Sequence, residues 1–359
     1  MNKKMKVLIL VNQLLTTCGV SKHILYFLKE MKGQSDFEFS ILCGGGDAID
    51  AYKNFCKEVR VDYNIRYENR SYLKYFVSTI NLFRIIRKNK YDIVHSHSHY
   101  GANISRIVCY FTGVKDVQTV HGIIDPVGKL KHYPATYFIA VNEHIKEYLI
   151  KKEKKLETKI RLIRCGIPFN DNNPKKINSK LRVIAAGRLN YLKGFDLYIK
   201  AVSKLPGELF NKAEFLLAGK GEAEDELLAL SDQLNANISF LGQIKDLTKY
   251  LKTTDILVNP SRSSNEGFPL TIIEAALTKN LIISSNFLGY DSILRDNENC
   301  LIFEKDNADE LLEKFTFSIE NFNKLNKVTE SLYRYAKTEF SPEKMVEETK
   351  TFYKEIIFK

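Results

Sequence analysis

The sequence predicts an α/β protein built from two doubly wound domains, each with a parallel sheet covered by helices. Short apolar runs alternate with longer segments of helical periodicity along most of the 359 residues, as is typical of consecutive parallel βα units. A polar stretch at 170–180 (NDNNPKKINSK) interrupts the alternation, which then resumes. We therefore expect an N-terminal domain over residues 1–170, a linker over 171–180 and a second domain over 181–340.

Six apolar runs predict the strands of each domain. In the first domain they are residues 6–12, 37–43, 91–97, 116–122, 137–142 and 160–166. In the second they are residues 181–187, 214–219, 238–242, 255–260, 280–285 and 300–303. Ligands of open α/β sheets bind at the carboxyl ends of the strands, so we expect these ends to face a cleft between the two domains.

The last segment, 341–359, predicts a helix. It begins with Ser341 and Pro342, a suitable cap and first-turn pair. Its apolar residues recur on one face, which predicts packing against a domain. They are Met345, Thr349, Phe352, Tyr353, Ile356 and Ile357.

Composition limits the class of protein. The chain is 44% apolar and 27% charged, which is typical of a globular protein with a sizeable core. Its six cysteines are scattered without a C-x-x-C pair, as expected for a reducing cytoplasm. No apolar run approaches the roughly 20 residues that a transmembrane helix requires.

The positive charge is concentrated in the first half. Residues 1–178 hold 30 Lys and Arg against 16 Asp and Glu, a net +14, whereas the whole chain carries +11. Such asymmetry indicates an anionic partner for the first half, although ordinary solubility charge explains it equally well. Nucleic acid is disfavoured as that partner because no binding module or arginine-rich run accompanies the charge.

Two glutamates, Glu266 and Glu274, carry the strongest functional signal. They follow the strand at 255–260 and flank Pro269, which suits the first position of a helix. The free N–H groups of a helix start suit phosphate, and carboxylates beside them suit hydroxyl groups. A ligand with phosphate and several hydroxyls is a sugar nucleotide.

These residues resemble the Glu-x7-Glu signature of the retaining GT-B glycosyltransferases of family four. The resemblance implies that Glu266 holds the donor sugar and Glu274 the ribose. It also implies that the loop and helix start between them receive the diphosphate. This segment comprises Gly267, Phe268, Pro269 and Leu270. In this family the last helix crosses back to the first domain, so 341–359 is expected to do the same.

Further matches lie on the second domain. Gly187-Arg188-Leu189 and Lys193-Gly194-Phe195 are similar to the family element that binds the departing diphosphate. Arg188 can fork across two phosphate oxygens and Lys193 can add a point charge. Ile244 matches the residue that packs on the nucleotide base, with core packing as the alternative.

On the first domain, Gly19 matches the glycine whose N–H approaches the diphosphate, although Cys18 replaces the family's preceding glycine. His121 matches the family histidine near the reacting centre. His95, His97 and His99 alternate along a strand and its exit, so a zinc site is conceivable. The family has histidines here on the cleft floor, which disfavours zinc.

The expected activity is retaining, metal-independent transfer of a hexose-type sugar from a nucleoside-diphosphate donor, UDP-sugar above all, to a hydroxyl acceptor. No metal or cofactor is expected, because the metal-binding D-x-D motif of the other major transferase fold is absent. The acceptor is expected to be a lipid-linked saccharide in surface polysaccharide synthesis. Alternatives are a sugar-nucleotide epimerase or hydrolase of the same fold, a transferase with a soluble acceptor, and a nicotinamide dehydrogenase, which the missing G-x-G-x-x-G disfavours.

Basic and aromatic residues interleave in one segment of the first domain, which suits the headgroup zone of an anionic membrane. We therefore expect a cytoplasmic enzyme that binds the inner membrane face. The segment's basic residues are Lys53, Lys57, Arg60, Arg66, Arg70 and Lys74, and its aromatic residues are Tyr52, Phe55, Tyr63, Tyr67, Tyr72 and Tyr75.

Overall fold

The computed structural model describes residues 4–66, 68, 71–124, 132–170, 175–176, 178–263, 269–287, 289, 291 and 293–358. The chain forms two compact units. Unit 1 comprises Met1–Pro168 and Ser341–Lys359, and unit 2 comprises Phe169–Phe340.

Unit 1 holds a parallel sheet of seven strands in the order β3-β2-β1-β4-β5-β6-β7. The strands are β1 Met5–Val11, β2 Phe37–Cys43, β3 Val59–Val61, β4 Ile93–Ser96, β5 Lys115–Val120, β6 Tyr137–Ala140 and β7 Ile160–Leu162. The helices are α1 Gly19–Glu30, α2 Tyr72–Asn89, α3 His99–Thr112, α4 Glu143–Lys151 and, from the chain end, α12 Pro342–Phe358.

The two faces of this sheet pack against different helices because the side chains of β1 alternate. Val7, Ile9 and Val11 pack with residues of α1 and α12. Leu8 and Leu10 pack with residues of α2 and α3. All five are buried, as expected for a central parallel strand covered on both sides.

The last helix belongs to unit 1, as the family resemblance predicted. Ser341 caps it, with its hydroxyl accepting the Lys344 N–H at 3.1 Å. The predicted apolar face is buried against the β1 and α1 side of the sheet, and Val346 extends it.

Unit 2 holds a parallel sheet of six strands in the order β10-β9-β8-β11-β12-β13. The strands are β8 Leu181–Ala186, β9 Ala213–Ala218, β10 Ser239–Gly242, β11 Ile256–Asn259, β12 Leu281–Ser285 and β13 Leu301–Phe303. The helices are α5 Phe195–Ser203, α6 Gly207–Phe210, α7 Glu224–Gln233, α8 Leu247–Leu251, α9 Leu270–Leu277, α10 Ala308–Asn321 and α11 Asn326–Glu339.

All twelve predicted strands are present, and the sequence prediction missed β3. In each sheet the chain reverses its direction of strand addition once, between β1 and β4 and between β8 and β11. At such a switch point the loops leave to opposite sides and open a crevice at the carboxyl edge. Most candidate residues of both units follow these four strands or their neighbours, and Ile244 follows the edge strand β10.

Candidate functional site

The loop after β1 brings a helix start to the switch point of unit 1. Gly19 is exposed and is the first residue of α1. Cys18 is the N-cap residue with φ −91° and ψ 127°, a conformation open to any residue, so cysteine replaces glycine here without backbone strain. The Cys18 side chain makes no capping hydrogen bond, and the first turn of α1 holds no acidic residue. The helix start is therefore suited to an anion.

His95 is a buried structural residue. Its Nδ1 lies 2.6 Å from the Tyr353 hydroxyl on α12, and its Nε2 lies 2.6 Å from the Thr119 hydroxyl on β5. Both ring nitrogens are thus engaged. His99 begins α3, and its ring contacts His132, with 5.9 Å between centroids. The grouping of His95, His97 and His99 as one set of ligands is therefore wrong.

His97 instead meets two histidines that lie far away in sequence. Its Nδ1 is 3.0 Å from Nε2 of His121, which follows β5. The His23 ring, on α1, lies edge-on to His121 with 5.0 Å between centroids. His23 and His97 are buried, and His121 is partly buried.

The buried imidazoles of unit 1 are neutral at neutral pH. Burial lowers the pKa of His23 to about 4, and burial together with His23 lowers the pKa of His95 to about 3. Burial and the neighbouring imidazoles hold the pKa values of His97 and His121 well below 6.5. These rings can accept a hydrogen bond or bind a metal ion without first losing a proton.

On unit 2, Arg188 and Lys193 lie in the loop after β8. The Arg188 side chain is 72% exposed, and its Nε lies 3.3 Å from a carboxylate oxygen of Glu222. Lys193 ends a 3₁₀ turn, and its side-chain carbons lie 3.9 Å from the position of a Cβ on Gly187. Both predicted cations therefore stand at the carboxyl edge of the sheet, next to the switch point.

A glycine turn after β9 fixes this loop through backbone contacts. Gly219 has φ +146°, and a Cβ there would lie 1.8 Å from the Gly187 carbonyl oxygen. Gly221 approaches the Leu189 carbonyl oxygen similarly, with a Cβ distance of 2.2 Å. Only glycine permits this approach. Gly219 also donates its N–H to the Gly242 carbonyl at 2.8 Å, which joins the end of β10 to the same edge.

Ile244 follows β10 and is partly buried. Its predicted role at the nucleotide base stays a prediction, and core packing stays the alternative.

Sequence reasoning missed Arg262, which braces the loop that carries Lys193. Arg262 follows β11, donates to both carboxylate oxygens of Asp196 at 2.5 and 2.9 Å, and stacks on the Tyr191 ring at 4.5 Å. Burial raises the pKa of Asp196, but hydrogen bonds from Arg262 and Lys200 outweigh it and lower that pKa overall. The available signal was a charged residue two positions after Pro260, where the predicted strand ends.

Of the two paired glutamates, only Glu274 lies within the described residues. Glu266, Gly267 and Phe268 lie outside the described residues. Pro269 is the N-cap residue of α9, so the helix begins one residue later than predicted, at Leu270. Glu274 lies in the second turn of α9 and is 1% exposed.

No helix within the described ranges combines the length and the apolar composition needed to cross a membrane.

Comparisons with known proteins extend over nearly the whole chain. A family model of group 1 glycosyl transferases matches residues 167–337, and a model of Glycosyltransferase Family 4 matches residues 17–170. The chain is 27% identical over 274 residues to the UDP-Gal:alpha-D-GlcNAc-diphosphoundecaprenol alpha-1,3-galactosyltransferase of Escherichia coli, covering 68% of this chain and 70% of that enzyme. It is 25% identical over 331 residues to the N,N'-diacetylbacillosaminyl-diphospho-undecaprenol alpha-1,3-N-acetylgalactosaminyltransferase of Campylobacter jejuni, covering 82% and 85%.

Solved structures share the fold. A glycosyltransferase from Rickettsia africae superposes with a TM-score of 0.83 at 21% identity over 99% of both chains. Anabaena HepE in complex with UDP superposes with a TM-score of 0.81 at 16% identity, over 98% of this chain and 100% of that chain. With two family models matching consecutive halves and two parallel α/β units in place, the chain belongs to the GT-B glycosyltransferases of family four.

Proposed function

We propose that this glycosyltransferase moves a sugar from a UDP-sugar to a hydroxyl of a lipid-linked saccharide, with retention at the anomeric carbon, in the synthesis of a surface polysaccharide. The observation that carries the donor half is the placement of Arg188 and Lys193 on one glycine-fixed edge of unit 2. The acceptor half is supported by the two relatives, both named for undecaprenol-diphosphate saccharides.

The donor chemistry is electrostatic. As the bond between sugar and diphosphate breaks, negative charge grows on the phosphate oxygens, and fixed cations stabilise that charge. Arg188 supplies a planar fork and Lys193 a point charge. The roles of Gly19 at the diphosphate, of His121 and Glu266 at the sugar, and of Glu274 at the ribose are part of this proposal and rest on the family resemblance.

The direct test is a panel of nucleoside-diphosphate sugars, each supplied with and without an undecaprenol-diphosphate saccharide. Transfer predicts release of nucleotide that depends on the acceptor, together with a glycolipid whose new linkage keeps the donor's anomeric configuration. Donor turnover without acceptor would favour the epimerase or hydrolase alternative. Transfer to a water-soluble saccharide at a higher rate would favour the soluble-acceptor alternative.

Arg188 has a matched control elsewhere in unit 2. Arg334 forms a similar ion pair, with Nε 3.1 Å from Glu330 and a side chain that is 78% exposed. Exposed pairs contribute roughly 0 to 1 kcal/mol to stability, so neither Arg188→Ala nor Arg334→Ala should unfold the protein. Only Arg188→Ala should lower transfer, by about 10- to 100-fold for the loss of one charge-assisted contact of about 1.5 to 3 kcal/mol. Equal rates in the two variants would contradict the phosphate role.

The two glutamates should differ in the step that they affect. Glu266→Ala should nearly abolish transfer while UDP still binds, since Glu266 is proposed to contact only the sugar. Glu274→Gln, chosen because Glu274 is buried, should weaken UDP binding by about 1.5 to 3 kcal/mol. Titration calorimetry with UDP separates the two effects. Transfer at the parental rate by Glu266→Ala would refute the site.

Metal independence follows from fixed cations that take the place of a divalent ion. Transfer in excess EDTA should equal transfer in magnesium. A complete loss that magnesium restores would refute this part of the proposal.

A membrane-facing surface is supported by α2, which includes the end of the segment that the sequence singled out, more than by the part of that segment before α2. In that segment Lys53, Lys57 and Arg60 pair with Asp50, Glu38 and Glu58 at 2.6, 3.1 and 2.8 Å. Their charges are therefore largely compensated. Tyr67 and Arg70 lie outside the described residues.

The solvent face of α2 combines apolar and basic side chains. Tyr72, Leu73 and Phe76 are 87%, 72% and 61% exposed near its start. On the same face, farther along the helix, lie basic residues that have no acidic partner among the residues that the structure describes. They are Arg84, Arg87 and Lys88. Apolar side chains inserted between headgroups, with cations beside them, favour an anionic bilayer.

Vesicle co-sedimentation tests this surface. Binding should require anionic lipid, fall steeply as salt rises, and weaken when Leu73 and Phe76 become Ser. Leu156→Ser is the control, since Leu156 is similarly exposed on unit 1 but lies away from α2. Equal recovery in the supernatant with neutral and anionic vesicles at low salt would defeat the membrane assignment and leave the transferase assignment standing.

A further inference from the structure

Three imidazoles from three separate elements converge in unit 1. His23 comes from the second turn of α1, His97 from the exit of β4 and His121 from the exit of β5. One ring nitrogen of each lies within 4.8 Å of one ring nitrogen of both others. No nearby carboxylate is required for this grouping, so the cluster is a purely nitrogen donor set.

One ring nitrogen of this histidine cluster lacks a hydrogen-bond partner among the described atoms. The Nδ1 of His23 is buried and has no hydrogen-bond partner among the described atoms. Such a buried polar atom is costly unless a ligand or ion satisfies it. His95 does not compete for the position, because Tyr353 and Thr119 occupy both of its ring nitrogens.

We propose that His23, His97 and His121 form a binding site for a divalent transition-metal ion of the zinc type, with three imidazole ligands and an open fourth position. Zn–N bonds of about 2.0 to 2.1 Å in a tetrahedron place the nitrogens about 3.3 Å apart. His97 Nδ1 and His121 Nε2 are already 3.0 Å apart. The other nitrogen–nitrogen distances, which are at most 4.8 Å, must shorten by on the order of 1 Å, and side-chain rotation can achieve this.

Apart from this movement of the side chains, metal binding needs a change of tautomer and no loss of a proton. Each neutral imidazole has one N–H and one free lone pair, and it binds the ion when its proton is on the other nitrogen. The hydrogen bond between His97 and His121 is then replaced by two metal–nitrogen bonds. The donor set of three nitrogens favours zinc, cobalt, nickel or copper over magnesium or calcium, which prefer oxygen.

A metal ion bound at this site should inhibit sugar transfer. This expectation rests on the proposed function. His121 is proposed to act at the donor sugar, and an ion bound to its ring would occupy the nitrogen that the sugar hydroxyl needs. Magnesium should have no such effect. Metal-independent transfer and inhibition by zinc are therefore expected in the same protein.

The binding test uses tag-free protein freed of metal with a chelator and then titrated with Co²⁺. The expected result is one equivalent of Co²⁺ with the visible absorption of a tetrahedral nitrogen site, displaced by Zn²⁺. In ¹⁵N-histidine-labelled protein, Zn²⁺ should shift three of the seven imidazoles. Absence of the absorption band, or shifts in a different set of histidines, would overturn the proposal.

His23→Gln should lower Co²⁺ affinity by at least about 100-fold, because even the outer partners of metal ligands contribute about 10- to 100-fold. His144→Gln on α4 is the control and should bind Co²⁺ like the parent. Circular dichroism in EDTA verifies that both variants are folded, and the labelled parent protein keeps the test decisive if His23→Gln does not fold. Equal Co²⁺ affinity in folded His23→Gln and parent protein would refute the site.

Transfer assays separate this inference from the proposed function. Zn²⁺ should inhibit the parent protein, and His23→Gln should resist inhibition when compared with its own metal-free rate. Co²⁺ binding without any transfer would support the metal site and count against the proposed function. Transfer without Co²⁺ binding would support the proposed function and overturn the metal site.

Discussion

Mild acid should destabilise unit 1 selectively. All seven histidines of the chain lie in unit 1, and residues 169–340 contain none. Four of the seven have pKa values that burial holds far below 6.5: His23, His95, His97 and His121. Unit 2 is therefore an internal control for histidine titration in the same molecule.

The direction follows from proton linkage. In the unfolded chain His23 titrates near 6.5, and in the folded unit its pKa is about 4. Between these values the unfolded state binds more protons, so stability is fully present above 6.5 and is lost as pH falls toward 4. For His23 alone, lowering the pH from about 7 to about 5 should cost about 2 kcal/mol.

Urea unfolding at several pH values, with hydrogen exchange read separately for peptides of each unit, measures this loss. Unit 1 should lose at least about 2 kcal/mol between about pH 7 and pH 5, while unit 2 changes little. His23→Gln should lose about 2 kcal/mol less than the parent over the same interval. The reasoning is refuted if both units weaken equally, or if His23→Gln and the parent show the same pH dependence.

Two substitutions test the contacts that position these sites. Tyr353→Phe removes the 2.6 Å partner of His95 and leaves a buried nitrogen unsatisfied, so thermal unfolding should show a loss of about 1 to 3 kcal/mol; an unchanged melting temperature would mean that this hydrogen bond is unimportant. Gly219→Ala places a Cβ 1.8 Å from the Gly187 carbonyl oxygen at φ +146° and should cost at least about 1 to 3 kcal/mol. Gly207→Ala is its control, since a Cβ there meets nothing within 4 Å, and equal stability of the two variants would contradict the backbone argument.

The sheets were predictable because buried parallel strands are continuous apolar runs bounded by polar turns. β3 escaped prediction because it is short, lies at the sheet edge and carries Arg60 between two valines. Its apolar signal is too weak to distinguish it from a loop. The start of α9 was misjudged by one residue, which is the usual uncertainty of helix ends.

The candidate site was predictable wherever residues follow a strand within a recognised motif, as Arg188 and Lys193 do. It was unpredictable where the partners are remote in sequence. His95 and Tyr353 are 258 positions apart, and Arg262 lies 66 positions from Asp196. Local periodicity carries no information on such pairs, because they depend on how helices and strands pack. The meeting of His23 with His97 and His121 has the same origin.

The proposed donor edge of unit 2 combines a rigid backbone with an exposed cation, an arrangement suited to the repeated binding and release of a diphosphate. Backbone groups of Gly219 and Gly194 press against the neighbouring loops, where a Cβ would lie 1.8 and 2.0 Å from a carbonyl oxygen, so the loops cannot shift independently. Arg188, by contrast, is exposed and pairs with Glu222 at the surface. That ion pair is exposed to solvent and therefore weak, whereas a charge-assisted hydrogen bond to a phosphate oxygen is stronger. A diphosphate in the proposed position is therefore expected to displace Glu222 from Arg188 with little rearrangement of the backbone, and its departure is expected to let the ion pair form again.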